Sequence, residues 1–363
     1  MYEHEVFKIS WIMSALGKKI RIKDVAGLAG VSPGTVDRVI HNRGQVTEEN
    51  RLKILKIIEE LDYKPNLIAR SLANKKNYLF VSLCPEFHSD NDYWKAPDTG
   101  IEKAAREIND YNITVKKFYF DQFSVKSFIN QLTYILSIKP DGVLLSPVFR
   151  NETIDFVEEL DKRQVPYIFI DSNIDNLNNL SYLGQNSFQS GYLAARLMNY
   201  SVPEKSSILI LRTGGSEISN QSVHRKNGIN SFFDSYGHHR IIHLDVDPEK
   251  NDSAKSIEEQ FGLEKYKGVI ITNSKAFDMA EFFERSKIEG ITLIGYDLLP
   301  ANIEFLKKGV ISFLIAQRPE YQGYKGILSL FDHIVLKTKI EKYNYLPIDI
   351  LTSENIDYYL NYI

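Results

Sequence analysis

The chain contains a single cysteine, Cys84, among its 363 residues. One thiol excludes an internal disulfide, and the lack of a CxxC pair gives no indication of a zinc site. No stretch reaches the roughly 20 apolar residues that a membrane-spanning helix needs, so we expect no membrane partner. The first residues, with Glu3, Glu5 and Lys8, lack the pattern of a secretory signal. These absences predict a cytoplasmic protein.

The sequence also lacks the short motifs that assemble catalytic groups or cofactors. It has no GxxxxGK[ST] loop, no GxGxxG after a strand, no HExxH and no GxSxG. His238, His239 and His243 approach a metal-ligand spacing, but no acidic or cysteine ligand accompanies them regularly. A surface cluster is the simpler interpretation of these histidines. We therefore expect no enzyme, no metal and no cofactor.

Length and charge distribution indicate a chain of several parts. The length suits two or three domains, and 43% apolar with 25% charged residues is usual for a globular protein. Residues 1–77 hold 14 Lys and Arg against 9 Asp and Glu, whereas the remaining 286 residues hold 30 against 38. A basic end on an acidic body predicts that the N-terminal part meets a polyanion.

Two short helical patterns open the basic part. Residues 22–29 place apolar side chains at helical spacing, and Gly30 ends the pattern. Val31 can fill the gap between the helices. The second pattern begins after Ser32, a good N-cap, with Pro33 at the first helical position, where the missing N–H costs little. Its apolar face runs to Ile40.

A third pattern runs from Thr47, its N-cap, to about Leu61. We expect four of its apolar residues to face inward: Ile54, Leu55, Ile58 and Leu61. Two helices joined by a short turn that contains glycine are typical of a helix-turn-helix.

The whole run from Ile22 to Lys76 resembles the DNA-binding region of the lactose-repressor (LacI/GalR) family. The matching pieces are DVAxxAGVS, TVxRV, VTEENRxKI and LDYxPNxxAxSLA. The resemblance implies that the helix beginning at Ser32 enters the major groove of DNA. Its implied DNA contacts are Ser32, Pro33, Gly34, Thr35, Arg38 and Asn42.

The recognition helix departs from the family pattern at its start. Pro33 and Gly34 stand where large polar side chains are usual, so these positions can read few bases directly. Arg38 can pair with a guanine edge or a phosphate. Asp37 either accepts a cytosine amino proton or is an outward-facing, solvated side chain, and the second interpretation is simpler.

A hinge is expected over residues 65–77. Asn66 caps two helical turns, which are too short to be stable alone in water and should order on DNA. The resemblance implies that Leu72 is wedged into the minor groove at the operator centre, with Arg70 beside it. The alternative makes Leu72 an ordinary packed leucine of a linker.

From Tyr78 the pattern alternates strand and helix, which predicts parallel sheets covered on both faces and ligand binding at the strand ends. The predicted strands are Leu79–Cys84, Thr114–Phe120, Gly142–Ser146, Tyr167–Ile170, Ile208–Arg212, Ile241–Leu244, Gly268–Thr272, Thr292–Tyr296 and Ile311–Ile315. The predicted helices include Thr99–Asn109, Val125–Ile138, Glu152–Arg163, Gln189–Tyr200 and Gln221–Tyr236.

This stretch resembles type I periplasmic sugar-binding proteins from Tyr78 to about Leu351. The resemblance rests on HRKNG, VIITNS, LIGYD and IAQRPEYQG, and it implies a cleft between two doubly wound lobes. The implied ligand contacts are Tyr93, Trp94, Asp121, Phe149, Asn173, Arg225, Asn273, Asp297 and Gln317. Asp171 and Gln185 also fall at strand ends.

Each of these contacts has a simpler alternative. Asp297 and Arg225 can form a structural ion pair, and Trp94 can pack between lobes. Gln185 and Gln189 can cap the following helix. A carboxylate, an amide and an aromatic ring suit a nucleoside as well as a sugar.

We therefore expect a disordered arm over residues 1–17, a helix-turn-helix headpiece over 18–64, a hinge over 65–77 and a ligand-binding and dimerisation body over 78–363. Met13 offers a second translation start. The expected function is a homodimeric repressor on a pseudo-palindromic operator, controlled by a small molecule that we expect to be a carbohydrate. The alternatives are a binding protein with a degenerate headpiece and an enzyme that uses Asp297 and Arg225 on a sugar.

Overall fold

The computed structural model describes residues 21–40, 44, 46–61, 76–87, 92–213, 220–246, 257, 259, 261 and 265–361. The chain divides into two compact units, Met1–Lys76 and Asn77–Ile363. The predicted arm, nearly all of the predicted hinge, and the proposed DNA contacts Asn42, Arg70 and Leu72 lie outside the described residues. None of the described helices is long and apolar enough to cross a bilayer.

The first unit contains three helices in its described part, α1 (Ile22–Ala29), α2 (Pro33–Ile40) and α3 (Glu48–Glu60). Gly30 ends α1 in the left-handed conformation, with φ of 70°, which glycine adopts without steric cost. The buried core takes side chains from all three helices and the residue after α3: Val25, Ala26, Ala29, Val36, Val39, Ile54, Ile57 and Leu61.

One inward-facing residue of α3 was predicted wrongly. Leu55 is 42% exposed, whereas Ile57 is buried. With 100° of rotation per residue, positions 57, 58 and 61 stay within about 60° of Ile54, while position 55 turns away by about 100°. Ile58 is half-buried against the same core.

The second unit continues the numbering in chain order. Its strands are β1 (Tyr78–Pro85), β2 (Ile113–Phe120), β3 (Gly142–Leu145), β4 (Tyr167–Ile170), β5 (Ser181–Gly184), β6 (Ser207–Thr213), β7 (Arg240–Val246), β8 (Tyr266–Ile271), β9 (Thr292–Tyr296), β10 (Phe313–Ala316), β11 (Tyr343–Tyr345) and β12 (Asp349–Leu351). Its helices are α4 (Lys95–Ile108), α5 (Val125–Ser137), α6 (Arg150–Lys162), α7 (Ser187–Ser201), α8 (Asn220–Tyr236), α9 (Ala276–Ser286), α10 (Pro300–Lys307), α11 (Pro319–Ile334) and α12 (Ile356–Leu360).

These strands form two six-stranded sheets within the described residues, which confirms the predicted pair of doubly wound lobes. The order is β11-β5-β4-β3-β1-β2 in the first lobe and β12-β10-β9-β8-β6-β7 in the second. All pairings in the first sheet are parallel, and in the second only β12 runs antiparallel, beside β10. Both faces of each sheet are covered by a buried apolar layer.

The chain passes between the lobes where β5 ends, where β10 ends and again between β11 and β12. As a result α7, which follows the first-lobe strand β5, packs on the second lobe, and α11, which follows β10, packs on the first. The three crossovers bring residues 185, 316 and 347 close together. This arrangement places strand ends from the sheets of both lobes around one cleft.

Candidate functional site

The first turn of α2 forms the exposed end of the headpiece. The backbone N–H of Thr35 donates to the Ser32 hydroxyl oxygen at 3.2 Å, so the predicted N-cap is present. Ser32, Pro33 and Gly34 are exposed, and Thr35 is half-buried. Three consecutive residues at the helix N-terminus are therefore exposed.

The opposite face of α2 is held in the core. Val36 and Val39 are buried, which leaves Arg38 exposed between them. Asp37 is half-buried. The exposed surface of α2 thus includes one guanidinium group and a helix N-terminus, both of which can bind phosphate.

In the second unit, two carboxylates lie at equivalent places in the two lobes. Asp171 follows β4 and Asp297 follows β9, and their side chains are 8% and 3% exposed. Both residues have left-handed backbones, with φ of 65° and 70°. Aspartate tolerates this conformation better than most residues. Each lobe therefore directs one buried carboxylate from the end of a central strand.

The Asp171 carboxylate is held by uncharged donors. The Tyr93 hydroxyl donates to its Oδ1 at 2.5 Å, and Nε2 of Gln221 lies 3.4 Å from the same atom. The Asp171 backbone N–H donates to Gln322 Oε1 at 2.8 Å. Burial raises the pKa of Asp171 to about 6, against the hydrogen bond from Tyr93.

Asp297 is held in a similar way. Its Oδ2 accepts from the Ser274 hydroxyl at 2.7 Å, and its Oδ1 accepts from Gln317 Nε2 at 2.6 Å. Burial raises the pKa of the Asp297 carboxyl, while Arg225 lowers it. The described hydrogen bonds of Asp297 thus come from uncharged side chains rather than from Arg225.

Gln317 connects the two carboxylates through a second amide. While its own Nε2 donates to Asp297, its Oε1 accepts from Gln221 Nε2 at 2.7 Å. Gln221 in turn donates to the Asp171 backbone oxygen at 3.0 Å. Since Gln221 and Asp297 belong to the second lobe and Asp171 to the first, this chain of hydrogen bonds spans the cleft.

Arg225 lies on α8 with its side chain fully buried. Nη1 donates to the Thr272 carbonyl oxygen at 2.8 Å, and the guanidinium lies 3.7 Å from the centre of the Tyr296 ring. Nε and Nη2 have no hydrogen-bond partner among the described residues. The Arg225 guanidinium therefore presents an edge with two N–H donors that is already positioned.

Other buried polar atoms near the strand ends also lack a partner within the described part of the chain. They are Ser146 Oγ, Ser172 Oγ, Asn173 Oδ1 and Gln185 Oε1. Buried polar groups are normally hydrogen-bonded, so such a set indicates a place for a polar ligand or bound water. Donors and acceptors are both present, which suits hydroxyl groups because each hydroxyl both donates and accepts.

Two predicted ligand residues lie elsewhere. The Phe149 ring is 1% exposed and packs 5.3 Å from Phe128 and 6.1 Å from Phe120, centre to centre, in the core beneath α5 and α6. It is therefore a core residue, because it precedes α6 and turns inward under it. Asp121 is exposed at the edge strand β2, and its Oδ1 accepts from the Phe123 N–H at 2.9 Å. It stabilises a turn and does not join the carboxylate network.

Three other predicted ligand residues lie near the cleft, and each already makes a contact within the protein. Asn173 donates from Nδ2 to Asp175 at 2.9 Å while its buried Oδ1 stays unpaired in the described structure. Asn273 is half-buried and accepts from the Lys275 N–H at 3.3 Å. Trp94 is buried edge-to-face on Tyr93, in an apolar cluster that includes Leu299 of the second lobe. Trp94 therefore packs between the lobes, next to Tyr93, whose hydroxyl contacts Asp171.

Gln185 joins the crossovers instead of capping α7. Its Nε2 donates to the Ala316 oxygen at 2.6 Å and to the Pro347 oxygen at 2.9 Å. The cap of α7 is Asn186, whose Oδ1 accepts from the Gln189 N–H at 3.0 Å. Gln185 therefore links all three crossover segments through one amide group.

Gln221 and Gln322 were missed because a glutamine within a helix is usually solvated. A repeat in the sequence could have revealed one of them. Gln185 and Gln317 each stand six residues before a Gly-Tyr pair, beginning at Gly191 and Gly323. At both glycines an added Cβ would lie about 2 Å from the backbone of a neighbouring helix. The residues before the two glycines, Ser190 and Gln322, are both buried in the structure.

A separate cavity of about 220 Å³ lies between α8 and the ends of β6 and β7. Arg212, Lys226, His243 and Asp245 line it. Asp245 lies 3.2 Å from Arg212 Nε and 3.9 Å from Lys226 Nζ. In the described part of the chain no cluster of three or more His, Cys, Asp and Glu side chains could hold a metal ion.

Comparison with known families matches both units. Residues 21–66 match the family described as bacterial regulatory proteins, lacI family, and residues 81–338 match the periplasmic binding protein domain. The HTH-type transcriptional regulator RegA of Clostridium saccharobutylicum is 26% identical over 345 residues, which cover 90% of this chain and 95% of RegA.

Solved structures agree with the family matches. A putative LacI transcriptional regulator from Bacteroides fragilis is 34% identical, with a TM-score of 0.74, and the match covers 78% of this chain and 100% of that one. GanP, a glucose-galactose binding protein from Geobacillus stearothermophilus, has a TM-score of 0.69 at 22% identity, with 78% and 99% coverage. The second likeness shows a shared fold.

Proposed function

Because the chain belongs to the lacI family of bacterial regulatory proteins, with a periplasmic binding protein domain after its helix-turn-helix, we propose that it acts as a homodimeric repressor on a pseudo-palindromic operator. Family membership makes it a DNA-binding transcriptional regulator. The proposal adds the dimer, the operator symmetry and control by a sugar in the cleft. It places the protein in the cytoplasm, on the nucleoid DNA.

In this proposal α2 is the recognition helix. Its exposed first turn enters the major groove, where Thr35 and the helix N-terminus bind phosphate and Arg38 binds a guanine edge or a phosphate. Pro33 and Gly34 supply backbone contact rather than base recognition. The full set of proposed contacts in the headpiece is Ser32, Pro33, Gly34, Thr35, Arg38 and Asn42.

The hinge supplies the remaining DNA contacts. Leu72 of each protomer inserts at the operator centre, and Arg70 lies against the adjacent backbone. An apolar side chain between base steps kinks the duplex, so two copies must insert together. This requirement makes operator affinity sensitive to the distance between the two hinges.

The cleft holds the sugar and binds it without chemical turnover. The proposed contacts are Tyr93, Trp94, Asn173, Arg225, Asn273, Asp297 and Gln317, together with Asp171. The observation that carries this proposal is the set of buried polar atoms around the cleft that have no partner among the described residues. The fold shared with a glucose-galactose binding protein supports a sugar. A sugar can change operator affinity only by favouring one lobe arrangement.

The test is a genome-wide selection of binding sites with purified protein, with and without a panel of sugars and nucleosides. We expect a palindromic motif whose enrichment changes with one sugar. Leu72→Ala should reduce enrichment of the motif far more than binding to bulk DNA. The absence of any motif under every condition would contradict the proposal and favour a ligand-binding protein with a degenerate headpiece.

A further inference from the structure

We propose that the cleft selects an uncharged sugar, and that Asp171 and Asp297 together exclude sugars that carry a carboxylate or phosphate. This inference rests on the proposed function, because it names the charge of the sugar that the cleft is proposed to bind. It concerns the balance of buried charge around the ligand.

Two buried carboxylates face one buried cation in the described part of the cleft. Asp171, Asp297 and Arg225 are 8%, 3% and 1% exposed. Arg225 lowers the pKa of both carboxyls, whereas Asp297 raises the pKa of Asp171. With both carboxylates ionised, the cluster carries a net charge of about −1 before any ligand binds.

The hydrogen bonds that hold the carboxylates bring no further positive charge. Asp171 accepts from the Tyr93 hydroxyl, and Asp297 accepts from Ser274 and Gln317. Each of these donors is uncharged. A third negative charge brought by a ligand would therefore be buried against two like charges, with Arg225 as the only compensation in the described cluster.

The open edge of the Arg225 guanidinium could bind either a carboxylate or a vicinal diol. Both offer two oxygens to the unpaired Nε and Nη2 donors. Two unpaired acceptors at the strand ends of the first lobe favour a ligand with hydroxyl groups. Asn173 Oδ1 and Gln185 Oε1 are buried and unpaired in the described structure, so each needs a donor from the ligand or from water. A hydroxyl can donate, and an ionised carboxylate cannot.

Two further cations of the second lobe are already paired with a carboxylate. Arg212 and Lys226 face the cavity beside α8, where both lie within 4 Å of the Asp245 carboxylate. An acidic group on the ligand would find no unpaired cation there to offset the central carboxylates.

The test compares matched ligands on the full-length wild-type protein by calorimetry. The pairs are glucuronamide against glucuronate and galacturonamide against galacturonate, with glucose, galactose and their 6-phosphates alongside. We expect each bound neutral sugar to bind at least about tenfold more tightly than its anionic counterpart, a difference of about 1.4 kcal/mol. Equal or tighter binding of the acid or phosphate would overturn the inference while the proposed function stands. Binding of none of the sugars, neutral or anionic, would overturn both.

Two variants test whether Asp171 causes the preference for the neutral sugar over the acid. Asp171→Asn removes one negative charge at nearly constant shape, so the preference for amide over acid should fall by at least about threefold. Lys226→Gln removes a cation that faces the neighbouring cavity, and the preference should stay unchanged. An unchanged preference in Asp171→Asn would refute the role of Asp171. Should that variant fail to fold, the comparison of amide and acid on the wild type still decides the main proposal.

Discussion

Ionisation of Asp171 should destabilise the folded protein as pH rises. Burial raises the pKa of this carboxyl from 3.8 to about 6. A group whose pKa is higher in the folded state binds its proton more tightly there than in the unfolded chain. Its stabilising contribution is therefore complete below the unfolded pKa and is lost as pH rises through the folded value.

The expected size of the effect follows from the shift. Ionisation of Asp171 lowers the free energy of unfolding by about 3 kcal/mol in total, and about 2 kcal/mol of this loss falls between pH 4.5 and pH 7.5. Other carboxylates add their own pH dependence, so the useful quantity is the difference between wild type and Asp171→Asn. Asparagine can still accept the hydrogen bond from Tyr93, and it does not titrate. As the pH rises over this range, the free energy of unfolding of the variant should therefore increase by about 2 kcal/mol relative to that of the wild type.

The assay is urea unfolding at a series of pH values. Trp94 lies in the apolar cluster beside the cleft, and its fluorescence reports on this unit once Trp11 is replaced by phenylalanine. We expect the free energies of unfolding of the two proteins to diverge by about 2 kcal/mol from pH 4.5 to 7.5. A constant difference across that range would show that the Asp171 carboxyl does not titrate as described.

Two further predictions concern packing. Gly191→Ala would place Cβ 2.0 Å from the Arg225 carbonyl oxygen, so we expect a loss of about 2 kcal/mol or more in thermal unfolding, together with weaker sugar binding. Gly27→Ala meets open space among the described residues, and it should leave stability unchanged or raise it by up to about 1 kcal/mol; equal losses at both glycines would refute the packing argument. In the headpiece, Ile57→Ala should cost about 3 kcal/mol in unfolding, whereas Leu55→Ala should cost less than about 0.5 kcal/mol. The reverse order would contradict the described face of α3.

Elements with strong local signals were predicted closely from the sequence. The first helix, Ile22–Ala29, has the expected bounds because Gly30 ends it and Arg21 begins it. The strands Tyr167–Ile170 and Thr292–Tyr296 also match, since each is a buried apolar run that ends at a polar residue. Local composition alone decides where such elements stop.

Elements that depend on tertiary context were missed. The short strands β11 and β12 contain polar residues and pair only because the crossovers bring them to a sheet edge, and β5, which also contains a polar residue, lies between β11 and β4. The predicted strand Ile311–Ile315 begins two residues later and ends one residue later, at Phe313–Ala316. Pairing partners set these bounds, and a single sequence does not reveal them.

The cleft was predicted in part. Arg225, Asp297 and Gln317 lie together as the resemblance implied. Phe149 was wrong because an aromatic residue at a strand end can turn into the core as well as into a cleft. Gln221 was missed because it lies on helix α8, and the sequence around it does not show that this part of the helix faces the cleft.

The measurement that tests the central claim most directly is operator binding by fluorescence anisotropy during a sugar titration. It requires the operator and the sugar found by site selection, with wild type and Asp297→Ala compared. We expect the sugar to change operator affinity of the wild type by about fivefold or more, as ordinary coupling allows. Asp297→Ala should bind the operator equally well and lose the response at the same sugar concentration. A response in Asp297→Ala within about twofold of wild type would contradict control of DNA binding through this cleft.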